Sequence, residues 1–150
     1  MNRPIRPIAC SCAWMLVSLM PGATFATCLD AQPSIAKEAH DSSMVVVGTA
    51  TEEHLVPDPD DPVGYIFTIY VVQVNEVLKG PAPKSLWLYS ENTSARYPMD
   101  LGVPNLLFII KTPTDAFVDN CGNSAPMKEA KAAYDEVKRT LSTRSAKTGH

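Results

Sequence analysis

Histidine is scarce in this chain, basic residues are outnumbered by acidic ones, and no long apolar run occurs beyond the first 20 residues. Lys and Arg total 13 against 16 Asp and Glu, a formal net charge of −3. A chain without a basic excess has no electrostatic footprint for nucleic acid or anionic lipid, so nucleic-acid binding is not expected. Nucleophilic catalysis needs a nucleophile, a base and an orienting group within hydrogen-bond reach. The three histidines are His40, His54 and the terminal His150, and none sits in a Gly-x-Ser-x-Gly or comparable motif. No catalytic residue, resident metal or cofactor is therefore expected. No internal repeat is visible.

The N-terminus carries a clear pattern. Arg3 and Arg6 precede an apolar stretch, residues 8–20 (IACSCAWMLVSLM), broken by Pro21-Gly22 and followed by Ala23-Thr24-Phe25-Ala26. Positive, apolar and small residues in that order mark a secretory signal peptide. The apolar run of about 13 residues is short of the roughly 20 that cross a hydrocarbon core. Residues 1–26 are thus expected to be removed during export, to a secreted or periplasmic destination, and no transmembrane segment is expected in the remainder. Cleavage after Ala26 leaves 124 of the 150 residues, a single-domain length. Losing Arg3 and Arg6 lowers Lys plus Arg from 13 to 11 while all 16 acids stay, for a processed net charge of −5.

Cys10 and Cys12 leave with the signal, so Cys28 and Cys121 remain. Two cysteines in an exported chain are expected to pair. Phe25-Ala26-Thr27-Cys28 also bears a likeness to a lipoprotein cleavage box, which would place a lipid on Cys28 and forbid the disulfide. Both readings stand at this level.

Residues 29–43 read as a short helix beginning near Pro33. Residues 44–51 (MVVVGTAT) read as a buried strand with Gly48 at a bulge or bend. The proline- and acid-dense stretch 52–62 reads as an exposed loop. Residues 64–78 (GYIFTIYVVQVNEVL) form the longest strand signal, and apolar residues on both alternating sets imply cover on both faces. Further strands are expected at 85–90 and 105–111, with a short edge piece at 115–120. Ser124 can cap a helix beginning at Ala125-Pro126, along which Met127, Ala130, Tyr134, Val137 and Leu141 form one apolar stripe. Five strands and a flanking helix predict a mainly β fold, a five-stranded Greek-key barrel of the OB type with a short N-terminal and a C-terminal helix, over residues 27–142. Residues 143–150 read as a disordered tail.

Asp58, Asp60 and Asp61, with Glu52 and Glu53 nearby, could gather oxygen ligands for calcium, but prolines separate them and no EF-hand glycine turn is present. They read as a solvated hairpin tip. His54 beside these acids has no partner at fixed ligand spacing. Asn92-Thr93-Ser94 is a glycosylation sequon. Of the aromatics, Trp87 is expected to pack in the core and Tyr97 to lie at the surface as a contact residue.

Taken in order, these segments resemble the netrin-module, or TIMP-like, domains related to the tissue inhibitors of metalloproteinases. Residues 44–50 (MVVVGTA) are similar to that family's early "vFvGkV" strand, and residues 65–80 to its long strand closing in "wKG". Leu101-Gly102 with Leu106-Leu107-Phe108 resembles "G..YLvF", and Asn120-Cys121-Gly122 followed by residues 127–130 (MKEA) resembles the closing cysteine and helix. The resemblance implies an OB-type barrel and a non-catalytic, exported module that binds a protein partner, inhibition of a protease being one form. The contact residues it implies lie at the processed N-terminus, Thr27 and Cys28. The best-known members chelate a protease zinc through an N-terminal cysteine. Here residues 92–102 hold no mid-chain cysteine, and the position matching the chelating cysteine falls at Ala26, so zinc-directed inhibition is not implied. A structural or adhesive envelope protein, lipid-anchored at Cys28, is the alternative.

Overall fold

The computed structural model describes residues 28, 31–93 and 96–147. The expected signal peptide and Thr27 lie outside the described residues, as does His150. The elements run α1 (Ile35–Asp41), β1 (Met44–Pro57), β2 (Tyr65–Lys79), β3 (Ser85–Glu91), β4 (Pro104–Lys111), β5 (Ala116–Val118), β6 (Ala125–Pro126) and α2 (Met127–Lys147). The strand order is β1-β2-β3-β5-β4, and β1 also pairs with β4, which closes a five-stranded barrel of the expected OB type. All pairings are antiparallel except a single parallel pair, Tyr89 with Phe117, between β3 and β5.

Two apolar clusters explain why β1 and β4 read as continuous hydrophobic runs. Met44, Val46 and Ala50 of β1 face the barrel interior with Leu107 and Ile109 of β4, Tyr70 and Val72 of β2, and Leu86 and Leu88 of β3. Val45 and Val47 point the other way, with Leu106 and Phe108, and meet Ala130 and Val137 of α2 and Ala39 of α1. These strands are buried on both faces, so no polar alternation appears in them. The predicted stripe of α2 does the covering: Met127, Tyr134 and Leu141 all pack against this outer cluster. Gly48 lies at a register shift in the β1–β2 ladder, where an added Cβ would stand 2.6 Å from Val72 Cγ1.

Helix α1 starts at Ser34, whose side chain accepts from the Lys37 N–H, and ends at Ser42. Lys79 Nζ donates to the carbonyl oxygens of His40 and Ser42, both at 2.6 Å, placing a cation on the carbonyl end of the helix.

Four local expectations are corrected. Strand β1 does not end at Thr51 but continues to Pro57, pairing Glu52 with Val71 and Pro57 with Tyr65. Only β2 needs to pair with this stretch, and an edge strand tolerates acids and proline that a central strand would not. The turn is correspondingly tighter: Asp58 N–H donates to Gly64 O at 3.1 Å. Ser124 does not cap α2; its hydroxyl accepts from the Phe108 N–H at 2.9 Å, and Ala125-Pro126 pair with β4 before the helix starts at Met127. Helix α2 runs to Lys147, five residues into the stretch expected to be a tail, since nothing before Gly149 breaks it. Finally, β2 is covered on both faces only at its far end, where Leu78 joins the cluster under the helices.

Candidate functional site

Two features of the surface are built rather than incidental. The first is a clasp at the start of the described chain. Cys28 and Cys121 form a disulfide across 93 residues, with Cα atoms 5.8 Å apart. Polar contacts reinforce it: Gln32 Nε2 donates to Gly122 O at 2.8 Å, and Asn123 Nδ2 donates to Pro33 O at 2.9 Å. Asn123 also donates its backbone N–H to Glu38 Oε2 at 2.7 Å. Burial pushes the Glu38 carboxyl above the usual range, and the two Asn123 hydrogen bonds only partly offset it. A Cβ on Gly122 would collide with Glu38 Oε1, so this glycine lets the carboxylate close onto the loop. Of the two expectations for Cys28, the structure has the disulfide, with its sulfur bonded to Cys121.

The second feature is the outer face of β2 and β3. Both helices sit over β1 and β4, and α2 also reaches the far end of β2 at Glu76 and Leu78; among the described residues no helix packs on Phe67, Ile69, Val71 or β3. In β3 the burial alternates strictly, with Leu86, Leu88 and Ser90 buried and Ser85, Trp87 and Glu91 exposed. Trp87 is 65% exposed in the middle of a regular strand, which corrects the expectation that it packs in the core. It stands opposite Val71, while Ile69 stands opposite Tyr89 and Phe67 opposite Glu91. Phe67, Ile69, Val71 and Tyr89 are all half-buried, and the Phe67 and Tyr89 rings meet in a tilted pair with centroids 4.8 Å apart.

Next to that ring pair runs a groove of about 520 Å³ along the β3–β5 seam. Its apolar wall is Phe67, Tyr89 and Phe117, and its polar rim carries Glu91, Asp115 and Asp119. Arg96 also borders it and donates to the Tyr65 hydroxyl. Asp119 Oδ1 accepts the Cys121 N–H at 2.8 Å, so one rim carboxylate is fixed by the backbone of the clasp loop.

The remaining sequence candidates are placed as follows. Tyr97, expected at the surface, is only 8% exposed: its hydroxyl donates to Asn105 Oδ1 at 3.0 Å, and Asn105 Nδ2 donates to Val103 O at 2.8 Å. Burial drives its phenol pKa upward. It is a satisfied polar residue of the core rather than a surface one, and it also borders the groove along the β3–β5 seam. Asp58 and Asp61 accept backbone N–H bonds from Asp60 and Val63 and so shape their own turn. His54 Nε2 lies 3.0 Å from Glu52 Oε2, both exposed, and His40 pairs with Asp41 on α1. Among the described residues no group of three or more His, Cys, Asp or Glu gathers at ligand spacing. Asn92 Nδ2 donates to Tyr65 O at 2.9 Å.

Sequence reasoning missed the face formed by Phe67, Ile69, Val71 and Phe117. The available signal was a shortage of cover: two helices, one of seven residues, cannot layer over a whole five-stranded barrel. A scan against the models of known protein families matches none of them, and a search of the curated proteins finds no match to this chain.

Proposed function

We propose that the chain is an exported, non-catalytic binding module that recognises a protein partner through the outer face of β2 and β3. The observation that carries this reading is Trp87, 65% exposed at the centre of a strand and flanked by half-buried Val71, Ile69, Tyr89 and Phe67. A tryptophan held on a rigid strand costs water order and offers a large contact area at little conformational cost, and such aromatic clusters are where interface energy concentrates. Export is supported by the signal pattern of residues 1–26 and by the Cys28–Cys121 disulfide, a bond that persists in oxidising compartments. Protease inhibition is the form of binding that the TIMP-like resemblance supports.

Site-directed photo-crosslinking tests the surface. A photoreactive residue replacing Trp87 is expected to capture a partner from the exported fraction, while one replacing Lys131 on the far flank of α2 captures none. Equal capture at both positions, or none at 87, overturns the assignment.

A further inference from the structure

We infer that the groove along the β3–β5 seam receives an arginine or lysine side chain of that protein partner. The inference rests on the binding-module reading and adds the chemistry of what is bound. One wall of the groove is aromatic, with Tyr89 paired across the seam to Phe117 and its ring against Phe67. Aromatic faces attract cations through the ring quadrupole, and more strongly where water is partly excluded.

The rim carries three carboxylates, Glu91, Asp115 and Asp119, against one guanidinium, Arg96, which is directed to the Tyr65 hydroxyl. A groove with that imbalance repels an anionic ligand and lowers the energy of a cation inside it. Its volume of about 520 Å³ suits a single long side chain with its solvating groups rather than a helix. The geometry also separates the two ends of such a side chain. An aliphatic stem can lie on Phe67 and Phe117 while the charged head reaches the rim, which is how long basic side chains bury apolar length. The net charge of −5 expected for the processed chain draws a basic partner from a distance, and the groove then orders its approach.

The test uses the processed, disulfide-bonded chain with isotope-labelled backbone amides, titrated separately with N-acetylarginine amide and N-acetylcitrulline amide. Citrulline keeps the shape of arginine and removes its charge. The expected result is saturable shifts at Tyr89, Glu91 and Phe117 with arginine, and roughly tenfold weaker binding of citrulline. Glu91→Gln combined with Asp115→Asn is expected to weaken arginine binding several-fold and leave citrulline binding unchanged. Should that double variant fail to fold, the arginine–citrulline comparison on the unaltered protein decides alone. Equal affinity for the two compounds overturns the inference, as do arginine shifts centred on the acidic residues of α2. Partner capture at position 87 together with equal arginine and citrulline affinity removes the cation site and leaves the binding face standing. Loss of capture at 87 removes the binding face whatever the titrations give.

Discussion

Glu38 on α1 accepts the backbone N–H of Asn123 at 2.7 Å across 85 residues of sequence, and so ties the first helix to the loop that enters the last one. The Cys28–Cys121 disulfide ties the chain ahead of α1 to the same loop. The N-terminal segment is therefore held by one covalent bond and a set of hydrogen bonds that converge on residues 121–123.

The burial of Glu38 makes this junction sensitive to pH. Its folded-state pKa lies above the ordinary 4.5, so the folded form holds the proton more tightly than the unfolded one. The resulting contribution is fully present below pH 4.5 and is lost as pH rises through the elevated value. Urea melts at pH 4 and pH 7 should show the stability of the native chain relative to Glu38→Gln falling as pH rises. A constant difference contradicts the assignment.

Removing the disulfide has a calculable cost. For a loop closed across 93 residues, Cys28→Ser with Cys121→Ser should lower unfolding free energy by about 4–5 kcal/mol on chain-entropy grounds. Alkylation of the native processed chain without reductant should label neither thiol.

Trp87 and Leu88 are neighbours on β3 that face opposite sides of the wall, at 65% and 1% exposure. Leu88→Ala should cost about 2–5 kcal/mol by emptying the barrel core. Trp87→Ala should change stability by no more than about 0.5 kcal/mol, as for an exposed site. Thermal melts of the two variants check the register directly, because a slip by one residue would reverse the order.

Tyr97→Phe leaves Asn105 Oδ1 without its donor in a residue only 2% exposed. The expected loss is about 1–3 kcal/mol, the cost of an orphaned buried acceptor, with partner capture at position 87 retained. A calorimetric scan paired with the crosslinking assay separates these two outcomes.

Much of the barrel was legible because burial leaves a direct mark on composition. The runs Met44–Val47 and Leu106–Ile109 are apolar on both alternating sets because a core lies on one side and helices on the other. The α2 stripe was legible for the same reason, through its helical period. The continuation of β1 to Pro57 was not, since its pairing depends on β2 arriving alongside, and acids, histidine and proline give no local strand signal. Ser124 misled because a hydroxyl ahead of a helix reads as a cap, whereas here it meets the Phe108 N–H supplied by a distant strand. The exchange of roles between Trp87 and Tyr97 has one cause. Hydrophobicity ranks tryptophan as the core residue, but the strand phase places Leu86 and Leu88 inward and leaves Trp87 no choice of side. Tyr97 is admitted to the interior because Asn105 takes up its hydroxyl.

Tyr89 with Phe117 is the one ladder pair between β3 and β5 among the described residues, while β2 grips the other margin of β3 along its entire run. A cylinder fastened so unevenly is expected to yield first at its thinnest weld, so amide exchange should be fastest beside Phe117. Whatever lodges there bridges both lips, and occupancy would therefore register as slower amide exchange on strands that the visitor never touches.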